Sequence, residues 1–205
     1  MAELSFVHRF EAGTSASTLL LLHGTGGNEH DLLPMGRELG PSASILSPRG
    51  KVLENGAPRF FRRLAMGVFD EDDLRAQAAD LAQFVQDAAY HYKLDVGKIY
   101  ALGYSNGANI AAALMLLHPE VLAGGVLLRP MLPLEVVPLP NLAGREVFLA
   151  AGTQDIWSPI ERVQALADRL ERAGARVQIR WQQGGHQLYP EELLAAQAWL
   201  ARQLE

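Results

Sequence analysis

The amino-acid sequence predicts an α/β fold: a buried, mostly parallel sheet with helices on both faces. Three observations carry this expectation. Short apolar runs rich in β-forming residues alternate along the chain with longer runs of helical period, the order of βαβ units. The apolar runs are nearly continuous rather than alternating apolar and polar, as in strands covered on both faces. A length of 205 residues is enough to bury a full core and fits one domain, 1–205, better than two.

The strand candidates are, in order, TLLLLH (18–23), ASILSP (43–48), KIYALG (98–103), GGVLLR (124–129), EVFLAAG (146–152) and RVQIRW (176–181). The clearest helix covers 72–92, where Leu74, Ala78, Leu81, Val85, Ala88 and Tyr92 recur at steps of three and four. Asp72 and Asp73 suit the positive end of its dipole. Further helices are expected at 107–117, 159–173 and 190–204, the last two opening on Pro159 and Pro190. Two stretches break the rhythm, 48–71 and the proline-rich 129–144. Long connections often carry function, so both are candidate pocket walls.

Composition narrows the function classes. A formal net charge of -5 argues against nucleic acid or anionic lipid as a partner, because either needs a basic surface. A small molecule is the expected partner. The absence of cysteine removes disulfides, thiol nucleophiles and thiolate metal sites. The opening MAELSFVHRFEAG lacks a basic segment followed by an apolar core, and no apolar run reaches membrane-spanning length. A cytoplasmic protein without a membrane span is expected. An exposed strand or helix could make a homodimer, but no residue specifies one.

GYSNG (103–107) places a serine between two glycines where an expected strand passes into an expected helix. Chance alone yields about 0.07 such G-x-S-x-G matches in a chain of this composition, so the setting decides. A strand-to-helix junction forces the serine onto a strained turn and projects it from the sheet edge. A serine hydroxyl is a poor nucleophile and needs a base, and that base needs an orienting acid. On this scaffold the three follow in chain order Ser, Asp, His, each beyond a strand. Asp155 follows the run at 146–152, and His186 follows the run at 176–181 beside Gly184 and Gly185.

The glycine-rich LLHGTGGNEHDLLPM lies directly after the first long apolar run, where half of an oxyanion hole is expected. The backbone N–H groups of Thr25 and Asn106 are the expected donors. A dinucleotide or phosphate fingerprint fails on spacing, with Glu29 where a third glycine is required.

LHGTGGNEHDL, SPRGKVLENGAPRFFRR, LDVGKIYALGYSNGANIA, GTQDIWSP and GGHQ together resemble the small phospholipase/carboxylesterase family of α/β hydrolases, which includes acyl-protein thioesterases. The likeness runs from about residue 18 to 204. Within the family the chain is most similar to bacterial members linked to hydroquinone or quinone stress, which share Thr25 after His-Gly, the Ser-Asn-Gly-Ala elbow and the Gly-His-Gln ending. The thioesterase branch usually carries Leu and Gln at the positions of Thr25 and Asn106, which counts against protein deacylation. The resemblance implies an α/β-hydrolase fold with little or no cap domain, and a serine esterase using Ser105, Asp155 and His186 with no metal and no cofactor.

Phe60, Phe61, Met131, Leu132 and Trp157 are candidates for lining an acyl or aryl pocket. His23 fits a structural partner of the oxyanion loop better than a base. Arg49, Arg59, Arg62 and Arg63 form a basic run expected to serve mainly internal ion pairs. The expected activity is hydrolysis of small or aryl carboxylic esters through an acyl-enzyme. A thioesterase or lysophospholipase is the near alternative, and a non-catalytic protein binding a quinone-like ligand is one of another class. No 2-His-1-carboxylate set supports a metal-dependent dioxygenase.

Overall fold

A computed structural model describes residues 4–204. Strands β1 (His8–Glu11) and β2 (Thr18–Leu22) lead to helix α1 (Leu33–Leu39) and strand β3 (Ser44–Pro48). Two small hairpins follow, β4 (Val52–Glu54) with β5 (Ala57–Arg59), and β6 (Arg63–Ala65) with β7 (Val68–Phe69). Helix α2 (Glu71–Tyr92), strand β8 (Ile99–Tyr104), helix α3 (Asn106–Leu117) and strand β9 (Gly124–Leu128) form the middle of the chain. Strand β10 (Glu146–Gly152), helix α4 (Ile160–Arg172), strand β11 (Arg176–Gln182) and helix α5 (Pro190–Gln203) complete it.

Seven strands form one sheet in the order β1-β3-β2-β8-β9-β10-β11. Only β1 runs antiparallel to its neighbour; every other pairing is parallel. Alternation along each inner strand explains the continuous apolar runs; β11, RVQIRWQ, departs from the expectation, because as the last strand of the sheet it alternates polar and apolar residues and leaves Arg176, Gln178 and Arg180 exposed. Leu20, Leu22, Leu127, Val147 and Leu149 enter a core shared with α2, α3 and α4. Leu19, Leu21, Leu128, Phe148 and Ala150 enter a second core against α1 and α5. Polar residues on either face would have lost water without a partner.

Helix α2 starts where an acidic cap can form. Asp70 accepts from the Asp73 N–H at 3.1 Å, and Glu71, Asp72 and Asp73 occupy the first turn. The six expected strands and four expected helices are all present, with ends shifted by a residue or two. Three features go beyond them. β1 is a short, half-exposed edge strand, HRFE, without an apolar run. Helix α1 has only seven residues, no side-chain cap and an internal Gly36 whose missing Cβ would sit 2.8 Å from Leu21. The stretch 48–71 folds into the two hairpins, each strand too short to display a period. Among the described residues no helix is long and apolar enough to cross a membrane.

Candidate active site

Ser105 sits between β8 and α3 with φ 53° and ψ -113°. A side-chain-bearing residue there stores roughly 1–3 kcal/mol of backbone strain that only the surrounding packing can hold. Its two flanking glycines allow that packing. A Cβ on Gly107 would lie 1.8 Å from the Leu22 carbonyl oxygen, and one on Gly103 would lie 2.6 Å from the Gly107 oxygen. The Ser105 N–H donates to Leu128 O at 2.8 Å, tying the turn to β9.

His186 Nε2 is 2.9 Å from Ser105 Oγ, and His186 Nδ1 is 2.7 Å from Asp155 Oδ2. A carboxylate only accepts, so Nδ1 carries the proton and Nε2 presents its lone pair to the Ser105 hydroxyl. Asp155 is buried beyond the end of β10, and its other oxygen accepts from the N–H groups of Trp157 at 2.8 Å and Ser158 at 3.2 Å. Burial raises the Asp155 carboxyl; His186 and the two N–H groups outweigh it and leave the net value below the ordinary one. The carboxylate is therefore ionised where it meets the imidazole.

The loop bearing His186 is held by its backbone. Tyr104 donates its hydroxyl to His186 O at 3.0 Å. Arg129, at the end of β9, donates from Nε to Gly185 O at 3.1 Å and from Nη2 to Gln187 O, on either side of the histidine. Glu192 in α5 accepts from Arg129 Nη1 at 2.6 Å and from Nη2 at 2.7 Å, and both side chains are fully buried. Glycine serves close approach here rather than left-handed backbone: a Cβ on Gly152 would meet Gly185 O at 2.3 Å, and one on Gly184 would meet the Tyr189 hydroxyl at 2.3 Å.

Thr25 and Asn106 line the same cavity as Ser105 and His186. Among the described residues neither backbone N–H has a protein acceptor, so both are free to donate to a bound oxygen. The loop is anchored next to Thr25 by Gly26, with φ 85°, whose N–H donates to Pro58 O at 2.8 Å. His23 holds it from below: Nδ1–H donates to Gly24 O at 2.7 Å and Nε2 accepts from the Gly50 N–H at 3.0 Å. Burial pushes the His23 imidazole below its ordinary value, which suits this neutral, fully bonded ring.

The cavity beside Ser105 is narrow, about 40 Å³, and the pocket expectation needs correcting. Met131 and Trp157 line it. Phe60, Phe61 and Leu132 do not; all three are buried in the core, Phe60 packing on His23 and Phe61 edge-on to Phe69. Hydrophobic burial draws the two phenylalanines of PRFFRR inward and leaves the flanking arginines, Arg59 and Arg63, on the cavity wall. Gly67, Phe69, Asn109 and Ser158 complete it, so the hairpin stretch supplies four lining residues and 129–144 supplies Met131. Arg129 and Glu192 went unnoticed in the sequence, although an arginine ending an apolar strand ahead of Pro130 is a signal of a buried partner. Among the described residues no three His, Asp or Glu side chains gather as a metal site. A larger apolar groove of about 590 Å³ lies between α1 and α5, lined by Leu39, Leu194 and Leu204, and includes none of these residues.

Comparison with known proteins points the same way. The sequence model of the Phospholipase/Carboxylesterase family matches residues 9–204. MhqD of Bacillus subtilis (strain 168) is 48% identical over 192 residues, covering 94% of this chain and 96% of its own. The crystal structure of the Bacillus cereus carboxylesterase superposes with a TM-score of 0.93 at 48% identity, covering 95% of this chain and 93% of that one. A carboxylesterase from Mesorhizobium loti gives a TM-score of 0.86 at 36% identity, covering 92% and 90%. With its parallel sheet, its serine elbow and a family match from strand β1 to the end of α5, the chain belongs to the phospholipase/carboxylesterase family of α/β hydrolases and is a carboxylic ester hydrolase.

Proposed function

We propose that the chain hydrolyses small or aryl carboxylic esters by acyl transfer to Ser105. The observation that carries this reading is the line of contacts from Ser105 Oγ to His186 at 2.9 Å and on to Asp155 at 2.7 Å. Ser105 Oγ attacks the ester carbonyl while His186 Nε2 takes the hydroxyl proton. Asp155 holds the imidazole in the Nδ1–H tautomer and stabilises the imidazolium. The C–O bond to the leaving alcohol breaks, and His186 returns the proton to that oxygen. Water then attacks the acyl-Ser105 carbonyl by the same route, releasing the carboxylic acid and restoring the serine.

The N–H groups of Thr25 and Asn106 are suited to the oxyanion of both tetrahedral intermediates, since they need no reorganisation to donate. Asn106 also opens α3, whose N-terminal dipole favours negative charge at that point. A cavity of about 40 Å³ supports short or flat acyl groups over long lipid chains.

Release of p-nitrophenol from acetate, butyrate, octanoate and palmitate esters, with Ser105→Ala alongside, tests this reading. Turnover lost in the variant and highest on the short chains is the expected result. Undiminished turnover in Ser105→Ala would overturn the assignment of the nucleophile, and a palmitate optimum would move the substrate to lipids.

A further inference from the structure

The chain carries a net charge of -5, yet the charged side chains on the cavity wall, His186 apart, are both arginines, Arg59 and Arg63. They share one carboxylate. Glu54 accepts from Arg63 Nε at 2.8 Å with one oxygen and from Arg59 Nη1 with the other. The cluster of two arginines and one glutamate therefore holds one positive charge in surplus. The other acid near the cavity, Asp155, keeps its negative charge but turns both oxygens to the N–H groups of His186, Trp157 and Ser158, so it offers no acceptor to the arginines. Arg162 adds to the imbalance, because its guanidinium bonds only to carbonyl oxygens, Gly67 O at 3.4 Å and Leu132 O at 2.6 Å, with no acid partner among the described residues.

Hydrogen-bonding capacity is skewed in the same sense. Arg59 spends Nε on Phe61 O at 2.8 Å, while its Nη2 and both Nη groups of Arg63 have no protein acceptor among the described residues. Asn106 Oδ1 accepts from the Phe60 N–H at 2.7 Å, which leaves Nδ2 buried and without a partner. Asn109 likewise uses its oxygen on the Met131 N–H at 2.9 Å and keeps its amide N–H groups unused. Such a wall offers donors and positive charge to a group that only accepts. A carboxylate is that group, and its planar pair of oxygens matches the guanidinium fork. The cavity is small and partly open to solvent, which suits a short acyl group ending in a carboxylate better than a long chain.

We infer that the preferred substrates are short esters bearing a free carboxylate close to the ester group, the half-esters of small dicarboxylic acids, with Arg63 and Arg59 as the carboxylate-binding residues. The inference rests on the reading of Ser105 as nucleophile and names its substrate class. Hydrolysis then releases a dicarboxylate and an alcohol.

Monomethyl succinate and dimethyl succinate share an acyl skeleton and differ by one methyl group and one charge; with the diester's kcat/KM halved for its two equivalent ester groups, the part of the ratio that Arg63→Met removes reads the anion contact. A ratio of about ten in favour of the half-ester is expected, the size of one charge-assisted hydrogen bond. The ratio should fall toward one in high salt and in Arg63→Met, which leaves Arg59 and Glu54 balanced; Arg63→Lys should keep part of it. A ratio at or below one in the unaltered protein, or an unchanged ratio in Arg63→Met, overturns the inference. Calorimetric binding of succinate to Ser105→Ala separates the two readings. Binding there that weakens in Ser105→Ala/Arg63→Met supports the carboxylate site whatever the nucleophile, and no binding removes it while leaving the esterase reading intact.

Discussion

Arg129 and Glu192 pair in full burial, Nη1 to Oε1 at 2.6 Å and Nη2 to Oε2 at 2.7 Å, and the same guanidinium grips the carbonyls flanking His186. Glu192 also accepts from the Tyr189 N–H at 3.0 Å, closing the first turn of α5. One ion pair thus joins β9, the histidine loop and the last helix.

Removing one partner leaves a buried charge without compensation. Glu192→Gln or Arg129→Met is expected to cost about 3–5 kcal/mol in urea unfolding. The double change Arg129→Met/Glu192→Met should recover most of that stability without recovering kcat, since the histidine loop loses its two carbonyl anchors. A double variant with full kcat would show that Arg129 stabilises the fold and does not position His186.

Asp155→Asn keeps the size of the side chain and loses its charge. Because Asp155 selects the Nδ1–H tautomer, kcat on a short ester should fall by about three to four orders of magnitude with KM little changed. Stopped-flow or steady-state rates with matched circular dichroism check this, and a loss below tenfold would remove Asp155 from the proton path.

Gly152→Ala places a methyl 2.3 Å from the Gly185 oxygen. The loop must retreat, so a destabilisation of about 2–3 kcal/mol and a fall in kcat larger than the rise in KM are expected. Thermal unfolding with steady-state kinetics reads both, and a fall in kcat no larger than the rise in KM would argue against a displaced histidine.

Acid tests the Glu29–Arg49 pair. Hydrogen bonds from Arg49 hold the Glu29 carboxyl at about 2 against an ordinary 4.5, overcoming the opposite pull of burial. The folded value is the lower one, so the pair stabilises fully above 4.5 and that contribution drains away as pH falls toward about 2. Glu29→Gln is therefore expected to cost about 1 kcal/mol at neutral pH, modest because Arg49 is half open to water, and the gap should close on acidification. Denaturant midpoints measured across that range decide it; a gap that widens in acid would contradict the pairing.

The sheet and the three residues at its edge were legible because their signals are local. Ser105, Asp155 and His186 each follow an apolar strand by a few residues, and the glycines beside them announce tight backbone. The pocket was less legible. PRFFRR offers aromatic and basic side chains in one run, and the choice of which faces the cavity depends on Phe61 finding Phe69 and Phe60 finding His23 across the fold. Arg129 and Glu192 lie 63 residues apart, and no periodicity links them. Helix α1 hid for another reason: with a proline at its start and a glycine inside, seven residues carry too little propensity to stand out, and packing on β2 and β3 makes the helix.

The strands of the two hairpins pair only with each other and never with the seven-stranded sheet. They nevertheless deliver Arg59, Arg63, Gly67 and Phe69 to the cavity, whereas Ser105, Asp155 and His186 are set on the sheet. On the proposed acyl-transfer reading, chemistry and selectivity are thereby mounted on separate parts of the chain. A transplanted hairpin pair, exchanged between relatives, could redirect which ester is taken while the acyl-transfer apparatus is inherited intact, a route by which one scaffold can diversify without first losing its reaction.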